Sequence, residues 1–161
     1  GGITTSIMQG DQAHYLRFVP PTKLSMVVAI PDFNLSTHEA RQVLPQSVPF
    51  EDAVFNISRT ALVIAALCQG EFHHLRYALE DKMHQPYRKH LIPGMQQVFD
   101  VAIEKGALGV AISGAGPCLI AFAQNHCDEI GAGMVQTFAS NHIKASYLVL
   151  DIDTEGAKVV I

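Results

Sequence analysis

Six short segments of the chain combine apolar and β-branched residues in the length and pattern that are typical of β-strands. Alternation is weak in the first two segments, and the turn signal Gly10-Asp11 separates them. The predicted strands are Ile3–Gln9, His14–Val19, Leu24–Ile30, Gly109–Ile112, Cys118–Ala123 and Ala145–Asp151. At the end of the chain, Lys158–Ile161 is predicted to be a short strand or a tail.

In five longer segments, apolar residues recur every three or four positions, which is the period of amphipathic helices. The predicted helices are Thr37–Leu44, Glu51–Gln69, Phe72–Met83, Gly94–Lys105 and Asp128–Ser140. Ser36-Thr37-His38-Glu39 has the Ser-x-x-Glu pattern of a capping box, which predicts where the first helix begins. The apolar repeat of the longest helix is Val54, Ile57, Ala61, Ile64 and Cys68. Pro86 is predicted to end the third helix, which leaves His84–Pro93 as a loop.

From Leu24 onward the predicted order is strand, several helices, strand-turn-strand, helix and strand, which is the split β-α-β-β-α-β pattern of ferredoxin-like folds. The sequence therefore predicts an α+β domain over residues 23–161, with extra helices in the first crossover and helices on one face of an antiparallel sheet. The stretch Ile112–Ala123 is expected to be the central hairpin of this sheet. Because the chain opens Gly1-Gly2-Ile3 without a methionine, we expect residues 1–22 to be strands that continue from an N-terminal domain of a longer protein.

Composition narrows the class of protein. A chain of 161 residues with 48% hydrophobic and 16% charged residues can form the core of one domain. Its formal charge of −4, without a block of lysine and arginine, argues against nucleic-acid binding through a broad basic face. The sequence shows neither a signal peptide nor an apolar run long enough to span a membrane. The odd number of cysteines, three, predicts a reducing, cytoplasmic location, with Cys68 and Cys118 as small core residues.

Two arginines are candidates for binding an anion. Thr37 and Arg41 are four residues apart at the start of a capped helix, where a hydroxyl and a guanidinium on one face can hold a carboxylate or a phosphate. Arg88 follows Pro86 in the predicted loop, and loop arginines beside rigid elements are often ligand contacts. The alternative is that both arginines are ordinary surface residues, with Arg41 paired with Glu39 or with solvent.

The segment Ser113-Gly114-Ala115-Gly116 interrupts the two apolar runs of the predicted hairpin. It lacks the Gly-Lys-Ser/Thr of a Walker loop and the spacing of a dinucleotide fingerprint. It can be a tight turn, and successive glycines can also form a backbone nest for an anion. The eight histidines show no helical zinc spacing, and the carboxylates give no acid and base pair, so the sequence predicts neither a metal site nor a catalytic residue in this chain.

Three segments together resemble the homoserine kinases, a branch of the GHMP superfamily of galactose, homoserine, mevalonate and phosphomevalonate kinases. They are Ile30–Arg41 (IPDFNLSTHEAR), Asp81–Arg88 (DKMHQPYR) and the Ser-Gly-Ala-Gly-Pro loop that follows Lys105-Gly106-Ala107. The resemblance is to the C-terminal half of that family and covers nearly the whole chain. The glycine-rich loop is shared across the superfamily, whereas the other two segments point to the homoserine branch.

The resemblance implies an ATP-dependent kinase that transfers the γ-phosphoryl group to the hydroxyl of L-homoserine, a step of threonine biosynthesis. In that family, the arginines that match Arg41 and Arg88 hold the amino-acid carboxylate, with the residue that matches Thr37 nearby. The loop of Ser113, Gly114, Ala115 and Gly116 would lie beside the nucleotide phosphates. The main phosphate loop and the ligands of Mg²⁺ belong to the N-terminal half, so this chain alone is expected to be inactive. The family also implies a cytoplasmic homodimer.

Two other interpretations stay open at this point. A mevalonate-type kinase of the same superfamily would also bind a carboxylate, and the sequence identifies no acceptor for the amino group of homoserine. A ferredoxin-like domain can also be a non-catalytic module for ligand binding or oligomerisation, because a fold alone does not decide function. The kinase interpretation predicts an exposed apolar face where the N-terminal half docks, whereas a self-sufficient module predicts a closed surface.

Overall fold

The structure, a computed structural model, describes residues 1–160 of the chain. Its strands are β1 (Ile3–Gln9), β2 (Gln12–Phe18), β3 (Ser25–Pro31), β4 (Gly109–Ile112), β5 (Leu119–Ala123) and β6 (Ala145–Asp151). Its α-helices are α1 (Thr37–Gln42), α2 (Phe50–Gln69), α3 (Leu75–Ala78), α4 (Gln85–Arg88), α5 (Met95–Glu104) and α6 (Cys127–Ser140). Every strand begins and ends within two residues of its predicted bounds.

Strands β3 to β6 form one antiparallel sheet with the order β4-β5-β3-β6. This order, together with the helices between the strands, confirms the predicted ferredoxin-like α+β fold. The hairpin of β4 and β5 is not central as a whole, as the sequence analysis expected. Of these two strands, only β5 is an inner strand, because β6 pairs with the other side of β3 and leaves β4 at the opposite edge.

Helices α5 and α6 cover one face of this sheet and enclose the main core. The strands contribute every second residue to it, as the two-residue period of a half-buried strand requires. The largest side chains that are fully enclosed in this core are Val27, Ile92, Val98, Leu119, Ile130, Met134 and Phe138. Removing a side chain of this size from water contributes about 1.5–3 kcal/mol to folding.

The opposite face of the sheet is only partly covered. In the register of the sheet, Met26 of β3 lies between Phe122 of β5 and Leu150 of β6, so the three side chains share this face. Two residues further along β3, Val28 lies opposite Leu148 of β6 on the same face. Leu148 and Leu150 keep 52% and 44% of their surface exposed. An apolar area therefore remains open on this side of the domain.

The apolar repeat of α2 points outward rather than into the core. Val54 and Ile57 are 49% and 70% exposed, and Cys68 is exposed as well. Cys68 is therefore not the core residue that the sequence analysis expected. Only the last turns of α2 pack inward, where Ala66 and Leu67 are buried. We call the outward-facing positions Phe50, Val54, Ile57, Ala61 and Cys68 the α2 stripe.

Strands β1 and β2 form a separate two-stranded ribbon, paired from Ile3 opposite Phe18 to Gln9 opposite Gln12. Most of its side chains are exposed, including large apolar ones such as Leu16. A two-stranded ribbon by itself is marginally stable in water. The ribbon is anchored at its base, where Ile3 and Phe18 pack against the small cluster around the end of α2.

The third predicted helix ends earlier than the sequence analysis expected. A 3₁₀ turn at Phe72–His74 leads into α3, which ends at Ala78 instead of Met83. The cause is Asp81, whose carboxylate accepts hydrogen bonds from the backbone N–H groups that follow it. A side chain that binds its own downstream backbone competes with the helical hydrogen bonds and turns the chain.

The predicted loop over residues 84–93 contains α4 and a 3₁₀ turn at Lys89–Leu91. Pro86 does not break this segment because it lies in the first turn of α4, where the missing N–H group of proline has no helical partner to lose. At the end of the chain, residues 158–160 form a tail and no strand, and Ile161 lies outside the described residues.

Candidate active site

Helix α1 carries the first pair of predicted site residues. The predicted capping box is formed, because the Ser36 hydroxyl accepts the Glu39 N–H at 3.1 Å and the Glu39 carboxylate accepts the Ser36 N–H at 3.0 Å. Glu39 is therefore engaged with Ser36 and not with Arg41. Thr37 and Arg41 are exposed, and no carboxylate of residues 1–160 lies within 4.0 Å of the Arg41 guanidinium. This leaves the charge of Arg41 available to a ligand.

Arg88 is predicted to lie in a loop, but it ends helix α4 and is only 9% exposed. Its Nε donates to the backbone oxygen of Ala40 at 3.0 Å, and its Nη1 donates to the backbone oxygen of Gly114 at 3.2 Å. Burying a charged group is costly unless hydrogen bonds compensate it, and these two carbonyl oxygens supply part of that compensation.

These two hydrogen bonds bring the predicted site residues together. Ala40 directly precedes Arg41 in α1, and Gly114 belongs to the glycine-rich loop. Arg88 is 48 residues from Ala40 and 26 residues from Gly114 along the chain, yet its side chain touches both. The three segments singled out in the sequence therefore meet at one place on the domain.

The glycine-rich loop is a tight turn between β4 and β5. The Ser113 N–H donates to the Cys118 oxygen at 2.8 Å, and the Gly116 N–H donates to the Ser113 oxygen at 3.1 Å. Gly114 and Gly116 have φ values of 60° and 91°, which residues other than glycine rarely adopt. A Cβ on Gly116 would meet Leu35 and Ile92 at 3.4 and 3.0 Å, so the loop packs closely beside the entrance to α1.

The other half of the loop is open. A Cβ on Gly114 would meet nothing within 4 Å. Among residues 1–160, the backbone N–H groups of Gly114 and Ala115 have no hydrogen-bond acceptor. Adjacent free amides beside open space are what an anion-binding nest offers. Both interpretations of the loop from the sequence, a turn and an anion cradle, are compatible with this geometry.

Asp81 organises the backbone below Arg88. Its carboxylate accepts hydrogen bonds from Asn56 Nδ2 at 2.6 Å and from the N–H groups of Met83, His84 and Gln85 at 3.1, 2.8 and 2.5 Å. Burial by itself raises the pKa of Asp81, but these hydrogen bonds outweigh it and hold the pKa below its ordinary value. Asp81 is therefore ionised at neutral pH and fixes the start of α4.

His84 lies between Asp81 and Arg88. Its Nε2 is 3.7 Å from Asp81 Oδ1, and its Nδ1 is 3.4 Å from Arg88 Nη1. Burial lowers the pKa of His84 most, the Asp81 carboxylate opposes this, and the Arg88 cation adds to the lowering, with a net pKa below the ordinary value. The imidazole is therefore neutral at neutral pH.

Gln85 ties α4 to the edge of the sheet. Its Nε2 donates to the Leu79 oxygen at 3.1 Å, and its Oε1 accepts the Ile112 N–H at 2.9 Å. Ile112 ends β4 directly before the glycine-rich loop. Neither this contact nor the role of Asn56 can be read from the sequence, because both join segments that are more than twenty residues apart. Asp81 was detectable, since aspartate often binds the backbone two to four residues downstream.

No group of three or more His, Cys, Asp or Glu side chains in residues 1–160 is arranged to hold a metal ion. In the same residues, no helix combines the length and the apolar character that crossing a lipid bilayer demands.

Comparison with known proteins identifies the class to which this fold and site belong. The model of the family described as GHMP kinases C terminal matches residues 63–139. The chain is 42% identical over 161 residues to the homoserine kinase of Persephonella marina, covering 100% of this chain and 54% of that protein. It is 44% identical over 160 residues to the homoserine kinase of Moorella thermoacetica, covering 99% of this chain and 54% of that protein.

A solved structure shares the same architecture. The crystal structure of homoserine kinase from Cytophaga hutchinsonii matches with a TM-score of 0.86 and 27% identity, over 92% of this chain and 48% of the other. Residues 63–139 thus match the C-terminal domain of the GHMP kinases, and the fold of the chain matches about half of a solved homoserine kinase. The relatives that the chain matches over nearly its whole length are homoserine kinases. The chain spans about half the length of those relatives.

Proposed function

We infer that this chain is the substrate-binding portion of an ATP-dependent homoserine kinase, which transfers the γ-phosphoryl group of ATP to the hydroxyl of L-homoserine. The observation that supports this most is the position of Arg88. It joins the helix that carries Arg41 to the glycine-rich loop, in a chain whose relatives are homoserine kinases. The product class, a phosphorylated amino acid on the way to threonine, follows from the same proposal.

Arg41 and Arg88 are proposed to hold the carboxylate of the substrate. Both guanidinium groups remain charged at any physiological pH. Arg41 can offer two parallel N–H donors to a carboxylate, whereas Arg88 can offer the N–H groups of Nη2, because its Nε and Nη1 are bonded to the protein. The exposed hydroxyl of Thr37, one turn before Arg41 in α1, can add a further donor. Fixing the carboxylate this way would orient the far end of the substrate, the hydroxyl that receives the phosphoryl group.

The loop of Ser113, Gly114, Ala115 and Gly116 is proposed to line the phosphate side of the site. Its free amides and open space support that role. Phosphoryl transfer also requires a metal ion to neutralise the phosphates, which is Mg²⁺ in most kinases. The family resemblance assigns the Mg²⁺ ligands and the main phosphate loop to the N-terminal half, so we expect other parts of the complete protein to supply them.

The rest of the protein is proposed to dock on the open apolar surfaces of this chain. The relatives are about twice as long as the chain, so a segment of similar size is available to cover them. The α2 stripe and the uncovered face of the sheet leave large apolar side chains in water, which isolated soluble domains rarely do. We also propose that residues 1–22 continue into that segment. A cytoplasmic location and a homodimer belong to the same proposal and follow from the family resemblance.

Substitution within the α2 stripe tests the docking surface. Ile57→Ala is expected to change the unfolding free energy of the 161-residue chain by less than about 0.5 kcal/mol, because Ile57 is exposed there. In the complete protein the same change should cost about 2–5 kcal/mol, the loss for a buried isoleucine. The measurement is urea denaturation of both forms. The control is Leu67→Ala, which should destabilise both forms by a similar amount because Leu67 is already buried. Equal effects of Ile57→Ala in the two forms would contradict the proposal.

A substrate panel tests the proposed activity. The complete protein is assayed for ADP release with L-homoserine, with mevalonate and without an acceptor. Homoserine alone should support turnover well above the rate without acceptor. Turnover with mevalonate instead would move the protein to another branch of the superfamily. If no acceptor supports turnover, the kinase proposal fails and a non-catalytic binding domain is the better description.

A further inference from the structure

Arg88 is a charged residue that is only 9% exposed. Three groups of the protein contact two of its nitrogens: Ala40 oxygen contacts Nε, and Gly114 oxygen and His84 Nδ1 contact Nη1. In the described part of the chain, Nη2 has no hydrogen-bond acceptor. In the same residues, every fully buried polar side-chain atom has a hydrogen-bond partner. Because Nη2 has none, it must keep some solvent-accessible surface. One edge of the guanidinium is thus fixed by the protein, and Nη2 is left for something else.

The contact with His84 has a defined polarity. A guanidinium has only donors, so Nδ1 of His84 must be the acceptor and must carry no proton. The proton of the neutral ring then sits on Nε2, the nitrogen nearer to Asp81 Oδ1. The lowered pKa of His84 agrees with this neutral form. The imidazole therefore lies between the Asp81 carboxylate and the Arg88 guanidinium, with its protonated Nε2 3.7 Å from Asp81 Oδ1.

The position of His84 is itself fixed by Asp81 and Asn56. Its backbone N–H donates to Asp81 Oδ2 at 2.8 Å, and Asp81 Oδ1 accepts from Asn56 of helix α2 at 2.6 Å. The side chain of Asp81 is only 6% exposed, so these bonds are sheltered from water. A continuous line of contacts runs from α2 through Asp81 and His84 to Arg88.

We propose that His84 is a positioning residue for Arg88, whose unprotonated Nδ1 holds the guanidinium turned so that Nη2 faces the substrate carboxylate. This inference rests on the proposed function, because the substrate is taken to be the amino acid whose carboxylate Arg88 binds. The other two acceptors of Arg88 are backbone oxygens, which side-chain substitution cannot remove. His84 is the one side chain in residues 1–160 that forms a hydrogen bond with the guanidinium. It is therefore the place where the orientation of Arg88 can be altered and measured.

Kinetics of the complete protein separate positioning from a purely structural role. His84→Leu removes the acceptor and should raise the KM for homoserine about three- to tenfold, the effect of one lost hydrogen bond, with the KM for ATP unchanged. His84→Asn keeps an acceptor oxygen near the position of Nδ1 and should restore most of the KM for homoserine. His90→Leu, which removes an exposed histidine on the next turn, should behave like the wild type. If His84→Asn is as impaired as His84→Leu, or if the KM values for homoserine and ATP rise together, the proposal is overturned.

A second readout does not depend on catalysis. Nitrogen-15 NMR of the histidine rings in the complete protein, with His84 assigned by its loss in His84→Asn, should show a neutral ring protonated at Nε2. Arg88→Lys should shift the Nδ1 resonance of His84, since it replaces the donor. A neutral His84 ring with its proton on Nδ1 would contradict the proposal even if homoserine is the substrate. A third outcome is that homoserine is not turned over but the Nε2 tautomer is found. The proposed function and the positioning role for a homoserine carboxylate would then both be wrong, whereas the contact between His84 and Arg88 would be confirmed.

Discussion

Replacing Arg41 by alanine in the complete protein is expected to raise the KM for homoserine about 10- to 100-fold while the unfolding temperature stays the same. Arg41 is exposed and makes no ion pair within residues 1–160, so removing its side chain should not change the stability of the folded domain. The substrate would lose charge-assisted hydrogen bonds worth about 1.5–3 kcal/mol. Steady-state kinetics with varied homoserine and varied ATP, together with a thermal melt, measure both quantities.

Arg88→Ala is expected to act on both activity and stability. Homoserine binding should weaken at least as much as in Arg41→Ala. The protein should also lose about 1–3 kcal/mol of stability, because the buried oxygens of Ala40 and Gly114 lose their donor. Arg76→Ala, at an exposed arginine outside the site, is the control and should leave the kinetics and the melt unchanged. A normal KM for homoserine in both Arg41→Ala and Arg88→Ala would show that neither residue binds the carboxylate.

The 161-residue polypeptide alone is expected to show no homoserine-dependent ADP release, whereas the complete protein should turn over at the rates of ordinary kinases, about 1–100 s⁻¹. The reason is chemical. Phosphoryl transfer depends on groups that hold the phosphates and on a metal ion that neutralises them. The sequence contains no Walker loop and no Gly-Leu-Gly-Ser-Ser type of segment, and the family resemblance assigns the Mg²⁺ ligands to the N-terminal half.

This comparison requires a folded polypeptide. Circular dichroism should show the mixed helix and strand content of the structure, and an apolar dye should bind more strongly to the polypeptide than to the complete protein, because the α2 stripe is uncovered. ADP release by the folded polypeptide above the background without homoserine would contradict the expected division of the active site.

Local signals in the sequence were sufficient for most of the secondary structure. The β-branched strands and the Ser36–Glu39 capping box depend on neighbours within a few residues, and all of them are formed as predicted. Pro86 shows the limit of a local rule. Proline ends a helix in its interior but is accepted in its first turn, and only the position of Asp81 decides which applies.

Burial could not be deduced from periodicity alone. The apolar repeat of α2 is a genuine amphipathic pattern, but the sequence does not say which surface covers it, and nothing in residues 1–160 covers its exposed positions. The same holds for Arg88. Its residue type and flanking motif indicated a ligand contact, whereas its burial and its bonds to Ala40 and Gly114 depend on segments 48 and 26 residues away. Such contacts arise from the tertiary fold.

The most direct test of the central claim compares L-homoserine with its amide, which lacks the carboxylate charge, in the complete protein and in Arg41→Ala. The measured quantity is the ratio of kcat/KM for the two acceptors. The wild type should prefer homoserine by about 10- to 100-fold. Arg41→Ala should lose most of that preference, since it lacks the guanidinium that recognises the carboxylate charge. An equal preference in both proteins, or a wild type that does not distinguish the two acceptors, would contradict a carboxylate site at Arg41 and Arg88.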